Sequence, residues 1–412
     1  MSQSLTIPWN AWFSEEEVFT LTFPDDWEVT ECAMDGAEGI SPKDIKAAFD
    51  TPIGTLKIRD LARGKKSAAI AIDDISRPTR AEEILKILIH EIEEGGIPKE
   101  NMKIILALGA HRPMMREDLI KKVGSDIYHQ VDVMNHYLYE NLLDGGVSDL
   151  GTPIKINRYF MESELKISVS CIVPHEWAGF GGGAKNIVPG IAGRETLIHN
   201  HRMVEGCYQE LTGVCEPNHL RADIENIARI IGVDAAVNVV TNQKRDTAGV
   251  FVGDVVEAHR KGVELAQKVY ATDLVYDQDV VVLNAFPKDT EILQLTNTLN
   301  IFHLPEKEIV KKDGIIIMSS ACFEGRGYHG IMGHGTPLVY DPLEIGKLLR
   351  GRRGIVFSPY LTAHDMKYYF PDSVLLFTEW EDVIKFVGEQ QGSGVKAAIF
   401  PTSALQLPKA QS

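Results

Sequence analysis

The feature that most restricts the fold of this chain is a recurring order of apolar strand, polar turn and amphipathic helix. Residues 67–72 read SAAIAI, a compact strand, and the polar turn Asp73-Asp74-Ile75-Ser76-Arg77-Pro78-Thr79-Arg80 follows. The apolar spacing predicts a helix over 81–94, stopped by Gly95-Gly96. A second strand, 102–108, ends in Gly109-Ala110-His111-Arg112-Pro113 and leads into a helix near 115–123. A third, β-branched run over 165–173 breaks at Pro174. This is the rhythm of a parallel sheet.

The second half repeats it. Strands are predicted over 235–240, 279–283, 314–318, 354–357 and 397–400, and helices over 253–270 and 290–302. Residues 1–65 read as short strands and turns, with Glu15 to Glu17 a solvated charge run. A change of unit is expected around 270–278. The expectation is therefore an α/β protein of two α/β domains, 1–275 and 276–412, with mainly parallel sheets and an active-site cleft between them.

Ligands of such sheets sit at the carboxyl ends of strands, where neighbouring loops diverge. Asp74, Ser76 and Arg77, then His111, then His175 and Lys185 each follow a predicted strand end. Three strand ends thus offer complementary chemistry to one crevice. The third is the richest: after His175 come Gly179, Gly181, Gly182 and Gly183, then Lys185, and beyond them His199 and His201 on a predicted helix. Glycines here let backbone N–H groups approach a ligand. The run departs from a nucleotide phosphate loop, because Ala184 precedes Lys185 and Asn186 follows it. His199 and His201 cannot pair on one helix face at a spacing of two, so at most one faces the site.

Composition narrows the function. A net charge of −16 argues against non-specific nucleic-acid or anionic-membrane binding. The five cysteines include no C-x-x-C pair, which suits a reducing compartment. The N-terminal residues lack a signal-peptide pattern, so a cytoplasmic protein is expected. Two histidines on different loops suit proton transfer on opposite faces of one carbon or hydroxyl, as in a racemase or epimerase. A hydrolase is less well served, since no G-x-S-x-G elbow is present. Two other readings stay open: a binding or carrier protein without turnover, and a metal-dependent hydrolase or lyase with His175 and His201 as zinc ligands.

The Asp74-Ile-Ser-Arg77-Pro78 turn, the Gly109-Ala-His111-Arg112 turn and the stretch from Pro174-His175 to His201 resemble those of the lactate racemase family, the nickel-pincer-nucleotide enzymes. The resemblance extends to Asn284-x-x-Pro287 and Gln294. It implies a pyridinium-3,5-bisthiocarboxylic acid mononucleotide carrying nickel, loaded by cofactor-assembly proteins and attached to Lys185 through a thioamide. It implies His201 as the protein's nickel ligand, and His111 and His175 as alternating acid and base at a 2-hydroxy acid. Asp74, Ser76 and Arg77 would bind the cofactor or steady charge near it, with Arg77 also a substrate contact. Gly181, Gly182 and Gly183 would admit the cofactor to the backbone. Lactate-type members carry Tyr-Gln-x-x-Lys where this chain has Leu293-Gln294-Leu295-Thr296-Asn297. Gln294 and Asn297 are then the expected substrate contacts, and a larger, hydroxylated sugar acid such as an aldonate the expected substrate. His329, His334, His364 and Lys367 could supply replacement contacts.

Overall fold

The computed structural model describes residues 3–13, 17–204, 211–333, 336–338 and 342–409, the last from residue 345 where side chains are concerned. Glu15, Glu16, Cys207 and His334 lie outside the described residues. The chain folds as two compact units.

One unit comprises Gly36–Val269 with His329–Ile331. Its six-stranded sheet runs Thr247–Gly253, Ala235–Thr241, Leu165–Cys171, Ala68–Asp73, Met102–Ala107, Asp132–Asn135. All neighbours are parallel except the first pair. Ala68–Asp73 lies between two parallel partners and is buried along its whole length, which explains its unbroken apolar sequence. The helix Ala81–Glu94 buries Ala81, Ile84, Leu85, Leu88 and Ile92 at spacings of three and four, one face turned to the core. Because Leu165–Cys171, Ala68–Asp73 and Met102–Ala107 are adjacent, the loops leaving their carboxyl ends emerge side by side.

The other unit comprises Met1–Asp35, Tyr270–Tyr328 and Met332–Ser412. Its sheet is parallel throughout, in the order Leu375–Phe377, Arg353–Phe357, Val310–Ser319, Gln278–Asn284, Lys396–Phe400, Glu28–Glu31. The hairpin Gln3–Pro8 and Val18–Phe23 packs Ile7, Leu21 and Phe23 into a core with Trp27, Phe357 and Trp380.

Four expectations change. Residues 1–35 belong with the C-terminal half, because Glu28–Glu31 adds to the sheet beside Lys396–Phe400. Within 1–65 there is a helix, Pro42–Asp50, started by a capping box in which Ser41 and Asp44 satisfy each other's backbone N–H. Thr247–Gly253 is an antiparallel edge strand, so the helix after it is shorter, Glu257–Val269. The helix predicted over 290–302 is broken into Ile292–Leu295, a 3₁₀ turn at Thr296–Leu299, and Asn300–His303. Thr296 and Asn297 bond back to the carbonyls of Leu293 and Gln294, competing with the helical ladder. Cys32, Cys171, Cys215 and Cys322 are free thiols. Among the described residues no helix is long and apolar enough to cross a membrane.

His136 is a structural histidine, buried with Nε2–H donating to the Ala192 carbonyl at 3.0 Å and Nδ1 accepting from Asn157 at 3.3 Å. Burial pushes its pKa from 6.5 down to about 4. Between those values the unfolded chain binds a proton that the folded chain refuses, so stability falls as pH drops through that window and is whole above it. The urea midpoint should decline over this range. His136→Gln, which has no ring to titrate, should flatten the decline; an unchanged slope would show that other groups dominate.

Candidate active site

The turn after Ala68–Asp73 buries two adjacent carboxylates. Asp73 takes Lys122 Nζ at 2.9 Å, the Thr79 hydroxyl at 2.6 Å and the Cys171 N–H at 2.8 Å. Asp74 accepts from the Ser76 N–H at 3.0 Å and its hydroxyl at 2.5 Å through Oδ1, while Oδ2 lies 2.6 Å from His111 Nδ1. Burial opposes ionisation of Asp74, but His111, Arg77 and Ser76 outweigh it and hold the carboxyl well below its usual range. Arg77 donates to the Ser76 hydroxyl at 3.0 Å. His111 sits in a tight turn closed by its own N–H to the Leu108 carbonyl at 2.9 Å. Carboxylate-backed imidazole is a sound acid–base group, because the ring is oriented and its cation is stabilised.

His175 follows Leu165–Cys171 in a short hairpin with Gly179–Phe180. Its Nδ1 accepts from the N–H groups of Trp177 and Ala178 at 3.1 and 3.2 Å. The glycine loop beyond is packed down onto the protein. Gly182 has φ +83°, and a Cβ there would lie 2.8 Å from Ile172 Cγ1; Gly183 has φ +60° against the Val255 carbonyl and His259. These glycines are thus required by the loop's own packing, whatever it binds. Arg221, only 1% exposed, donates to the carbonyls of Ala178 at 3.1 Å and Gly182 at 3.3 Å, and also to that of Phe180. His259 Nε2–H donates to the Gly181 carbonyl at 2.8 Å.

His201 lies on Arg194–Arg202, with Nδ1–H on the Leu197 carbonyl at 2.9 Å. Burial, then the charge of Lys185, push its pKa down to about 4. It is therefore neutral near pH 7 with its lone pair on Nε2, the state a metal ligand needs. Its partner in the pair, His199, turns instead to the Thr152 hydroxyl at 2.9 Å. The Trp177 ring packs edge-on to His201 at 5.5 Å and lies 6.4 Å from His175. Trp177 Nε1–H is buried with no hydrogen-bond partner among the described residues. His329 is half-buried beside His111, with ring centroids 5.4 Å apart and the Gly330 N–H on the Ala110 carbonyl at 2.7 Å. Burial, then His111 and His201, depress its pKa strongly. Asp74, Ser76, Arg77, His111, His175, Gly181, Gly182, Gly183, Lys185 and His201 all fall in this one unit.

Residues 14–213 match the lactate racemase N-terminal domain. The lactate racemase of Thermoanaerobacterium thermosaccharolyticum is 31% identical over 293 residues, 69% of this chain and 67% of that protein. That of Lactiplantibacillus plantarum is 30% identical over 305 residues, 73% and 70% of the two chains. This chain belongs to the lactate racemase family. The fold agrees: the lactate racemase apoprotein from T. thermosaccharolyticum superposes with a TM-score of 0.78 at 22% identity, over 99% of this chain and all of that one. A Thermotoga maritima protein superposes at 0.68 and 18% identity, over 91% of this chain and all of that one.

Where the resemblance sets a lysine, this chain has Asn297, and a buried cation lies beside it. Lys288 is 1% exposed, and its ammonium donates to Asn297 Oδ1 at 3.1 Å. Asn297 Nδ2 in turn donates to the Gln294 carbonyl at 3.0 Å. Gln294, Asn297 and Leu293 are all buried in the unit that holds the C-terminal half. His364 and Lys367 are exposed side chains at the short helix Ala363–Met366. The signals for Lys122, Arg221 and Lys288 were absent from the sequence, where each reads as an ordinary surface cation.

Arg221 anchors the loop that carries Lys185, and burying its charge is compensated by those carbonyls and the neighbouring Glu225 at 3.9 Å. Arg221→Met keeps the apolar stem and removes the donors. It should lower unfolding free energy by about 3 kcal/mol or more, as hydrogen bonds from a charged group are lost. Urea denaturation checks this; a loss under about 1 kcal/mol would mean the loop holds itself.

Proposed function

We propose that this chain is a racemase or epimerase of 2-hydroxy acids that works with a nickel pincer nucleotide. The observation that carries the reading is one cluster joining the Asp74–His111 pair to Lys185 and a neutral His201. Its support from relatives is that both curated proteins described above are lactate racemases.

The donor set fits the implied cofactor. Among the described residues no three of His, Cys, Asp or Glu stand close enough to hold a metal unaided. A metal here therefore needs donors from a bound group, with His201 Nε2 as the protein's contribution. That also leaves the zinc hydrolase or lyase reading without a ligand set among the described residues. Lys185 would carry the covalent link, and Trp177 Nε1–H is a buried donor beside His201. When bound, the nucleotide supplies a hydride acceptor, which suits a C2–H that is barely acidic beside a carboxylate. The protein's share is the hydroxyl proton. His111 Nε2 would take it, and Asp74 would stabilise the imidazolium that results. His175 stands with it at the hydroxyl. A mere nucleotide carrier has no need of a buried carboxylate behind His111, which favours turnover.

For the substrate, Lys288 with Gln294 and Asn297 offers a cation and two amides of the kind that would meet a carboxylate. Leu293 and Asn297 are shorter than the lactate-type tyrosine and lysine. They would leave room for a longer hydroxylated acid such as an aldonate. Cofactor-assembly proteins are the partners this reading requires.

Protein made together with the cofactor-assembly machinery should show a mass adduct that Lys185→Ala abolishes, with about one nickel per chain expected of a single metal site. Substrate deuterated at C2, turned over in ordinary water, should keep much of its label in both stereoisomers. Zinc without an adduct, or complete loss of label, would refute the reading. In a panel of D- and L-lactate, malate, 2-hydroxyglutarate and aldonates, an aldonate should be fastest. Lys288→Met should raise its KM by roughly tenfold or more, the scale of a lost charge-assisted contact. Lactate fastest with aldonates inert would overturn the substrate assignment.

A further inference from the structure

The covalent link and the metal ligand assigned to one cofactor stand on separate elements. Lys185 is carried by the glycine loop, and His201 by the last turn of Arg194–Arg202. A group linked at one residue and ligated at another is held only if the two elements keep a fixed separation. Both pack on one helix, His219–Ile230, in the same unit. On the loop side, its N-cap Asn218 donates to the Trp177 carbonyl at 2.9 Å, and Arg221 to those of Ala178, Phe180 and Gly182. On the side of His201 the contact is Asp223. Two residues apart on a helix, Arg221 and Asp223 point about 200° from each other. The helix thus meets the loop and the ligand-bearing helix on nearly opposite faces.

Asp223 is wholly buried. Its Oδ2 accepts from Asn200 Nδ2 and from the Thr152 hydroxyl, each at 2.8 Å, and its Oδ1 accepts from the Ser148 hydroxyl. Thr152 has one hydroxyl hydrogen and gives it to Asp223, so its oxygen accepts from His199 Nδ1–H, 2.9 Å away. Both residues that precede His201 are therefore tied to one carboxylate, Asn200 directly and His199 through Thr152. Three neutral donors compensate the burial of a carboxylate poorly, so packing alone does not call for an acid here. The first turn of the ligand-bearing helix is fixed by other contacts. Thr196 donates to the Pro153 carbonyl at 2.6 Å and accepts the Lys155 N–H at 2.9 Å. Asp223 fixes the last turn, where His201 sits.

We propose that Asp223 is a positioning residue for the metal: by holding Asn200 and Thr152 it sets where His201 Nε2 stands relative to Lys185. This rests on the cofactor reading given above. Asp223 acts through His201, not on the substrate, and its part is that of an acceptor for three hydrogen bonds.

Three substitutions test the role. Asp223→Asn keeps a carbonyl for Thr152 and Asn200 and turns its amide to the Ser148 oxygen, so it should behave nearly as the native residue. Asp223→Leu removes every acceptor. Asn200→Leu removes only the bond beside His201, and it carries the test if Asp223→Leu fails to fold. In protein loaded by the assembly machinery, both leucine variants should keep the mass adduct at Lys185. They should release nickel to EDTA about tenfold to 100-fold faster, the usual scale for an outer partner of a metal ligand. Asn226→Ala breaks the bonds to Asp149 made by the same helix and should release nickel at the native rate. Histidine-selective ¹⁵N spectra of the apoprotein give a readout without cofactor or turnover. Asn200→Leu should shift or broaden the ring signals of His201 and leave those of His175 in place. Nickel held in Asn200→Leu as firmly as in the native chain, equal release from Asn226→Ala, loss of the adduct together with the nickel, or unmoved His201 signals would overturn the proposal and leave the racemase reading standing. If the native chain takes up no adduct, that reading fails, and the His201 spectra still decide the role of Asp223.

Discussion

Two carboxylates at the end of one buried strand impose most of the order around the site. Taking a carboxylate out of water costs several kcal/mol unless the charge is met, and Asp73 and Asp74 are 4% and 3% exposed. Each is therefore answered from a different part of the chain. Lys122, from the helix Arg116–Val123, and the Cys171 N–H, from the neighbouring strand, converge on Asp73. His111, from the turn after Met102–Ala107, closes on Asp74. Lys122 also donates to the Asp74 carbonyl at 2.8 Å, tying the two acids into one unit. Charge compensation thus sets the positions of three strand-end loops relative to one another, and the orientation of His111 follows from it.

A second layer of buried donors acts on the glycine loop. Arg221 and His259 hold the carbonyls of Ala178, Phe180, Gly181 and Gly182 from behind. Ser168 holds the Gly183 carbonyl at 2.9 Å, and Asn238 receives the Gly183 N–H at 2.7 Å. Nearly every main-chain polar group of the loop is thereby satisfied by the protein itself. A loop so constrained presents Lys185 and His175 with little freedom, which is what a site that must place a substrate within a fraction of an ångström requires.

The side chain at position 297 is met by a cation that the linear sequence does not place there. Read along the chain, Asn297 signals a lost positive charge. In the folded unit, Lys288, nine residues earlier, puts its ammonium on that same side chain. Asn297 itself lies in the 3₁₀ turn Thr296–Leu299.

The parallel sheet, the strand ends that bear Asp74, His111 and His175, and the separation of His199 from His201 were all legible in the sequence. They depend on local periodicity and on what a strand or helix does with its next few residues. The capping box at Ser41 was equally local and was there to be read. The membership of residues 1–35 in the C-terminal sheet was not, since a short strand such as Glu28–Glu31 finds its partner Lys396–Phe400 only through long-range pairing. Nor were the burial of Lys122, Arg221 and Lys288, the approach of His329 to His111, or the opposite partners met by the Nδ1 atoms of His111 and His175, a carboxylate at one and two backbone N–H groups at the other. Sequence alone determined which chemical groups stand at which strand ends, because side-chain type and backbone period are properties of neighbouring residues. Tertiary structure decided which groups are charged, which nitrogen carries a hydrogen and which cation meets which acid. Those depend on desolvation and on partners that lie far away along the chain.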